Sequence, residues 1–458
     1  MHTPFNKIKV KTVKSFLLLA ASILLLNSCK DAGGYLVGVQ GRYNFYQPIP
    51  YGMLFIPPGS YTMGASDQDV PYAQISQSKT VSLQAFYMDE TEITNNEYRQ
   101  FVYWVTDSIA HRLLGNAGME DHLISQDSYG NDIVPPLLNW DENIRWNGDN
   151  ERDALNEMFL PEHERFYRHK EIDTRKLNYE YYRIDLIGAA KKELYDDDGV
   201  KKNGRPQGLK DRSVFIKKDI VNVYPDTLAW VHDFTYSFNE PMTEKYFWHP
   251  AYDNYPLVGV NWKQARAFCI WRTQFLNNYL TSRGEWETNN FRLPTESEWE
   301  YAARGGLDLS PYPWGGPYIR NSNGCFLGNY KPLRGNYTDD GGLHTVVVAH
   351  YAPNDYGLYD MAGNVAEWTN NAFEASTYNF AHDLNMDYQY EAKNTDPDVL
   401  KRKVTRGGSW KDIGYYIQVS SRNYEYQDSS KCYLGFRCVQ TYLGRSIGDS
   451  PNASNAYD

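Results

Sequence analysis

Two segments of the chain, after residues 94 and 261, repeat apolar residues at the 3.6-residue spacing of a helix with one buried face. These two segments and a third each follow a Thr or Asn that has a Glu or Gln three positions later, the capping box that satisfies the free amides of a helix start. The pairs are Thr94 with Glu97, Asn261 with Gln264, and Thr295 with Glu298. We predict one helix after each pair, and the third helix should end at Gly305 and Gly306.

Alternation of apolar and polar positions predicts strands in two other regions. Residues 53–64 alternate around a Pro-Pro-Gly turn, which predicts a short hairpin. Residues 214–237 alternate over a longer stretch and predict paired strands. From residue 311 onward Gly, Asn and Asp dominate, so we expect short strands joined by long loops there.

The first residues have the pattern of a targeting segment. Lysines open the chain and residues 15–26 form an apolar run too short to span a bilayer, so residues 1–28 are predicted to be a lipoprotein signal peptide. The Leu-Asn-Ser that precedes Cys29 resembles the lipobox of bacterial lipoproteins, which implies lipidation of Cys29. The alternative is ordinary secretory cleavage near a cysteine. Residues 29–50 are marked by Gly and Pro and predict a tether.

Composition excludes some classes of binding partner but does not identify one. The formal charge of -11 argues against binding to nucleic acid, which relies on clustered Lys and Arg. The 39 Tyr and 12 Trp suit wet interfaces, glycan stacking or an aromatic core. Beyond Cys29 an even set of cysteines remains, which permits disulfides outside the cytoplasm but does not decide their connectivity. No C-x-x-C or H-E-x-x-H motif for zinc occurs.

Eight segments stand in the order of the formylglycine-generating enzyme family, also called sulfatase-modifying factors. The segments are residues 63–64 (MG), 92–98 (EITNNEY), 256–269 (PLVGVNWKQARAFC), 292–306 (RLPTESEWEYAARGG), 312–315 (YPWG), 353–368 (PNDYGLYDMAGNVAEW), 406–410 (RGGSW) and 434–438 (LGFRC). This resemblance implies an α+β fold, a variant of the C-type-lectin-like fold with little regular secondary structure.

The resemblance also divides the chain. The family pattern covers residues 51–104 and 251–442, which together imply one discontinuous domain. Residues 105–250 lie outside the pattern as a long insertion, which we expect to be an interaction region. Residues 443–458 are expected to form a flexible tail.

The family's chemistry is tied to two positions after the RGGS segment. The enzymes of the family carry copper-binding cysteines there, and counting from Ser409 these positions hold Asp412 and Ile417. A carboxylate and an aliphatic side chain do not supply the thiolates that Cu(I) prefers. The HxxxHxE pattern of related iron-dependent members is also missing. We therefore expect a chain that is not an enzyme, requires no cofactor and tolerates the loss of both side chains.

The resemblance makes bound calcium possible, with a structural role. One calcium site of the family maps onto four residues of a single turn, Asp360, Gly363, Val365 and Glu367, of which Gly363 and Val365 would use their carbonyl oxygens. The other maps onto Asn329, the carbonyl of Tyr330, and Asp340. The alternative is that these carboxylates only cap turns.

The resemblance further implies a disulfide between Cys269 and Cys438, because the family pairs the corresponding helix and strand cysteines. In the chain-entropy model a loop of this length would contribute about 4–5 kcal/mol to stability. A bond between Cys325 and Cys432 would follow only by elimination, and their pairing is left open.

A narrower resemblance covers the lipobox, residues 89–110 and the end of the insertion at 217–256. These segments look like the GldK (PorK) lipoproteins of the type IX secretion and gliding machinery of Bacteroidota. That resemblance implies a protein anchored in the outer membrane, facing the periplasm, that forms a ring with GldN (PorN) and further copies of itself. The alternatives are the related GldJ lipoproteins, a lectin-like binder of glycan or peptide, and an active formylglycine-type oxidase. The insertion is expected to supply much of the contact with GldN or with neighbouring copies.

Overall fold

The structure is a computed structural model, and it describes residues 47–64, 77–190, 213–233, 240–339 and 342–444. The predicted signal peptide, the lipidation site Cys29, most of the tether and tail, and the calcium candidate Asp340 lie outside the described residues.

The fold is α+β, as predicted, and its helices are mostly short. The α-helices are α1 (Asn95–Asn116), α2 (Glu151–Leu155), α3 (Leu186–Ala190), α4 (Ala229–Asp233), α5 (Pro241–Lys245), α6 (Trp262–Ser282), α7 (Glu296–Arg304) and α8 (Thr377–Phe380). All three predicted capping boxes are confirmed, at the starts of α1, α6 and α7. Helix α7 ends at Gly305, whose φ of 60° is left-handed, as the sequence predicted.

Fourteen strands form small sheets among the described residues. They are β1 (Met53–Ile56), β2 (Gly59–Met63), β3 (Lys79–Leu83), β4 (Phe86–Asp89), β5 (Leu123–Gln126), β6 (Asp132–Leu138), β7 (Asn178–Ile184), β8 (Ile216–Asn222), β9 (Phe291–Arg292), β10 (Ala366–Ala372), β11 (Arg402–Arg406), β12 (Asn423–Tyr426), β13 (Leu434–Gly435) and β14 (Val439–Thr441). The first sheet has the order β1-β4-β14-β9 and the second β12-β11-β10-β13. Pairs β2-β3, β5-β6 and β7-β8 complete the set.

The predicted hairpin at 53–64 is wrong, although both of its strands exist. Strand β1 pairs with β4, and β2 pairs with β3 in a separate sheet. The Pro-Pro-Gly turn therefore sends the chain from one sheet to another. The predicted strands at 214–237 are half confirmed, because β8 pairs antiparallel with β7 while Ala229–Asp233 is helical.

The main core lies between α1, α6 and the first sheet. Tyr98 and Phe101 of α1 pack against Phe268 of α6, and Phe436 closes the same aromatic cluster. Burial of these rings stabilises the fold through apolar area and through edge-to-face ring contacts.

The insertion shares this core. Helix α1 crosses the boundary predicted at residues 104 and 105 without a break. Tyr179 and Tyr181 of β7 are buried in the main core, and Phe101 meets Tyr179 edge-to-face with ring centroids 5.2 Å apart. Arg183 and Arg266 both pair with Glu391, at 2.6 and 2.9 Å, which ties β7 to α6. The β7-β8 hairpin is therefore held on the family domain.

Candidate functional site

The loop from Arg406 to Ile417 leaves β11 through two glycines with left-handed backbone. Gly407 has a φ of 86° and Gly408 a φ of 65°. A Cβ atom on Gly407 would lie 3.1 Å from the ring of Trp299, and one on Gly408 would lie 2.8 Å from the Cγ2 atom of Ile417. Backbone angle and close packing therefore both select glycine at these two positions.

Asp412 closes the turn of this loop. Its carboxylate accepts hydrogen bonds from the backbone N–H of Ser409 at 2.9 Å and from the Ser409 hydroxyl at 2.7 Å. Its carbonyl accepts from the backbone N–H of Lys331 at 2.7 Å, which joins the loop to the neighbouring segment. Asp412 therefore acts as a turn-forming residue of the loop.

Ile417 fills the core beneath the loop. It is fully buried and packs with Tyr312, Phe326, Tyr330 and Ala362. This contradicts the expectation that both side chains are dispensable, because deleting a fully buried aliphatic side chain leaves a cavity. The two positions that the sequence resemblance aligns with the enzymes' cysteines hold structural side chains here.

A buried ion cluster, formed by Glu296, Glu300, Arg304, Arg406 and Arg422, supports the start of the loop. Arg406 is 1% exposed, pairs with Glu300, and donates to the carbonyls of Ser420 and Ser421 at 2.8 and 3.0 Å. Glu300 also pairs with Arg304 at 2.6 Å, and Arg422 donates to Glu296 at 2.9 Å.

Burial is the largest single influence and lowers the pKa of Arg406, but Glu300, Tyr378, Glu296 and Tyr61 together outweigh burial and raise it. Arg406 therefore keeps its charge, and its pairing with Glu300 holds the start of the loop in place. The sequence did not reveal this cluster, because its members come from segments far apart along the chain and nothing local marks their pairing.

The Asp360–Glu367 turn packs directly against Asn329. Asp360 has a left-handed φ of 56°, and its carboxylate accepts from the backbone N–H of Ala349 at 2.8 Å. A Cβ atom on Gly363 would lie 2.3 Å from the carbonyl oxygen of Asn329, so only glycine fits. The backbone N–H of Asn364 donates to that same carbonyl at 2.8 Å. The structure thus brings together members of both predicted calcium sets.

A third carboxylate, Glu92, lies behind this turn and was missed by the sequence reasoning. It is fully buried and accepts from the Asn364 side chain at 2.7 Å and from the Val365 backbone N–H at 3.1 Å. Burial, together with the charges of Asp360 and Glu367, raises the pKa of Glu92 well above its ordinary value. Burial raises the pKa of Asp360 to about 6.

The calcium set does not fit as the turn is arranged. Arg437 donates to both oxygens of Glu367, at 2.9 and 2.8 Å from its Nε atom, and Trp299 donates a further hydrogen bond at 2.8 Å. A carboxylate occupied by a guanidinium offers no free lone pair to a cation and places a positive charge beside it. No cluster of three or more His, Cys, Asp or Glu side chains that could hold a metal ion occurs in the described part of the chain.

In the other calcium set, Asn329 and Tyr330 make hydrogen bonds through a side-chain nitrogen and a hydroxyl, which are not their candidate ligand atoms. The Asn329 side chain donates to the carbonyl of His344 at 2.7 Å, and the Tyr330 hydroxyl donates to the carbonyl of Ile319 at 3.2 Å. Asp340 is not among the described residues. This second calcium set stays a prediction.

Cys269 and Cys438 face each other in the core. Their sulfur atoms lie 3.4 Å apart as free thiols, and both residues are buried. Burial and the neighbouring Cys269 raise the pKa of Cys438. The disulfide stays a prediction, and the side chains need to approach by little more than 1 Å to reach the usual S–S bond length of about 2.05 Å. Cys325 is exposed and Cys432 is buried, both as free thiols.

A small, partly open cleft lies beside the Asp360–Glu367 turn. Trp314, Tyr351 and Asp360 are among its lining residues. None of its lining residues is a Cys or a His, so the cleft offers neither a thiolate nor an imidazole for catalysis. Within the described ranges, no helix is long and apolar enough to cross a membrane.

Comparisons with known proteins give relatives of both kinds, active and inactive. The chain is 37% identical over 202 residues to the "Inactive C-alpha-formylglycine-generating enzyme 2" of Bos taurus, which covers 43% of this chain and 53% of that protein. It is 34% identical over 195 residues to the "Formylglycine-generating enzyme" of Thermomonospora curvata, which covers 41% of this chain and 55% of that protein. The chain thus spans about half the length of these relatives.

A solved structure and a family profile complete the comparison. PvdO from Pseudomonas aeruginosa superposes with a TM-score of 0.43 at 16% identity, covering 85% of this chain and 94% of that one. The profile of the "Sulfatase-modifying factor enzyme 1-like domain" matches residues 46–442, insertion included. Since that match takes in the glycine loop, the Asp360–Glu367 turn and all the sheets described above, the chain belongs to the sulfatase-modifying factor family.

Proposed function

We propose that this chain is a non-catalytic member of its family that serves as a lipid-anchored assembly subunit, forming a periplasmic ring with GldN (PorN) and further copies of itself in the type IX secretion and gliding machinery. The observation that carries the non-catalytic part is the structural use of Asp412 and Ile417. Asp412 closes a turn through hydrogen bonds within the loop and Ile417 is fully buried, so neither position supplies a reactive group.

The loop retains the scaffold of a catalytic loop without reactive groups. Copper-dependent oxygen chemistry in this family needs two thiolates at these positions, and Cys432 and Cys438 lie beyond the loop in the core. Burial raises the pKa of Cys432, which keeps its thiol protonated and inert. A relative named as inactive supports the proposal, since it retains the family fold under that name.

The surface that supports assembly is the outer face of the β7-β8 hairpin. Its exposed apolar side chains are Tyr182, Ile184, Ile216 and Ile220. Between them Lys218 and Glu180 form an ion pair at 2.6 Å. An apolar patch with a charge pair of both signs suits a protein interface. Because the hairpin is packed into the main core, a contact made there would position the whole domain.

The assembly test uses the purified chain with purified GldN in size-exclusion chromatography with light scattering. We expect a complex that contains more than one copy of each protein, and we expect Ile220→Asp to weaken it. The matched control is Trp286→Asp, which places the same charge at an exposed ring in the segment that follows α6, outside β7 and β8. Co-elution that is equally strong in both variants would remove the hairpin from the interface, and no co-elution of the unaltered proteins would reject the ring proposal.

Two further experiments test the rest of the proposal. Oxygen uptake with Cu(I) and a cysteine-containing peptide should stay at background, and copper-dependent uptake would restore an enzymatic role. The variant Cys29→Ser should leave the membrane fraction or stall in processing, because Cys29 is the residue placed for acylation. A GldJ-like identity would be indicated by stable membrane anchoring together with no GldN binding.

A further inference from the structure

Strand β12 is the free edge of the second sheet. Among the strands of the described residues it pairs with β11 alone, in the antiparallel register that sets Tyr426 against Arg402 and Tyr424 against Val404. An unpaired strand edge presents a row of backbone donors and acceptors that another extended segment can join.

The ladder shows which groups face the free edge. The backbone N–H of Gln427 donates to the carbonyl of Lys401. In an antiparallel ladder the backbone groups of every second residue bond across the pair. The N–H and carbonyl groups of Asn423 and Glu425 therefore also point toward β11, while those of Tyr424 and Tyr426 point away from it, toward the free edge. The opposite side of β11 agrees, because the Arg402 carbonyl points away from β12 and accepts from the Phe373 N–H at 3.0 Å.

Three backbone groups are therefore offered at this edge. They are the N–H and carbonyl of Tyr424 and the N–H of Tyr426, while the Tyr426 carbonyl already accepts from Ser429 at 2.8 Å. Both tyrosines are 37% exposed, so the edge is open to a partner. The free backbone groups belong to residues two positions apart on the strand, a spacing that only an extended polypeptide backbone matches.

A cation without a carboxylate partner stands over the same edge. The Arg402 guanidinium lies 4.3 Å from the ring centre of Tyr424 and 5.9 Å from that of Tyr426. Its Nε atom is buried and has no hydrogen-bond partner, and among the described residues it pairs with no carboxylate. Stacking on the rings fixes the guanidinium, and a carboxylate there would gain a charge-assisted hydrogen bond.

We propose that β12 is a docking edge for an extended acidic peptide segment, which adds as a strand through Tyr424 and Tyr426 and places a carboxylate on Arg402. The backbone groups select an extended chain, and Arg402 selects its charge. This mode gives affinity through main-chain bonds and specificity through one side chain. The site is separate from the β7-β8 hairpin, so it stands or falls independently of ring assembly.

The test measures binding of short labelled peptides to the full chain by fluorescence anisotropy. The probe is the acetylated hexapeptide amide Thr-Val-Glu-Val-Thr-Val. Two related peptides serve as controls, one with Lys in place of Glu and one N-methylated at the Glu and at the two Val residues that flank it. We expect each control peptide to bind at least about tenfold more weakly than the probe, since one loses the charge pair and the other loses the strand bonds.

Charge reversal on the protein provides the matched variant. Arg402→Glu should invert the preference, so that the Lys peptide binds about tenfold more tightly than the Glu peptide. If that variant does not fold, Arg402→Gln should bind the two peptides equally. Hydrogen exchange should slow at the amides of Tyr424 and Tyr426 when the Glu peptide binds. Unchanged affinity after N-methylation, an unchanged charge preference in the Arg402 variants, or no saturable binding of the Glu peptide would each overturn the proposal.

Discussion

Replacing Asp360 by Asn should stabilise the protein at neutral and alkaline pH and leave it unchanged in acid. Burial raises the pKa of Asp360 from 3.8 to about 6. Because the folded-state pKa lies above the unfolded one, the folded state binds the proton more tightly. The stability from that proton is fully present below about pH 4 and is lost as pH rises through about 6.

The size of the effect follows from the shift. About two pKa units correspond to about 3 kcal/mol of folding free energy, since one unit is about 1.4 kcal/mol. Asn imitates the protonated carboxyl, keeps an oxygen for the Ala349 N–H, and tolerates the left-handed φ of 56° at this position. Asp360→Asn should therefore gain up to about 3 kcal/mol at about pH 8 and about nothing at pH 4. It should also lower the pKa of Glu92, because the Asp360 charge helps to raise it.

Urea unfolding at a series of pH values measures this directly, with the unaltered chain beside the variant. Two curves that converge in acid and separate through about pH 6 match the reasoning. Parallel curves, or a variant that is less stable above that pH, would contradict the assigned burial of an ionising carboxyl. The same unfolding measurement can be repeated with added Ca²⁺. If Ca²⁺ stabilises the unaltered chain but not the Asp360→Asn variant, calcium binds at the turn despite the pairing of Glu367.

Three other predictions concern the core. Ile417→Ala should cost about 2–5 kcal/mol of unfolding free energy as a cavity forms, while Tyr416→Ala, at a 39% exposed position, should cost clearly less in the same denaturation assay. Burial lowers the pKa of His111, so its contribution to stability is present above about pH 6.5 and is lost as pH falls; His111→Gln should flatten unfolding curves below that pH. Cys269 and Cys438 should appear as a linked pair in non-reducing peptide maps, and a reductant should then lower stability by about 2–5 kcal/mol; unlinked peptides from protein prepared without reductant would reject the bond.

Local signals in the sequence were enough for the three longest of the described helices. Thr94, Asn261 and Thr295 each start a helix through bonds within four residues, so no distant partner is needed to recognise them. The same is true of Gly305, whose backbone angle ends α7. Capping chemistry is local, and sequence reasoning finds it for that reason.

Strand pairing and buried charge depend on distant residues, which explains the misses. Strand β1 had a plausible neighbour in β2, yet β1 pairs with β4, and β2 pairs with β3 in a different sheet. Glu92 carries no local mark of burial, and its partners Asn364 and Val365 are far along the chain. The candidate loop itself was located from the sequence, while the structural roles of its side chains needed the fold.

The position of β14 has a consequence for when the protein can fold. This strand comes from residues 439–441 and lies between β4 and β9, so the first sheet is complete only when nearly all of the described chain is present. A chain that emerges from its amino terminus onward leaves one edge of β4 bare until that moment. Pairing of strands so far apart in the sequence is slow, and it does not stabilise early folding intermediates. The domain therefore remains open during synthesis and closes with its last strand, a timing that favours handling by chaperones over stepwise folding.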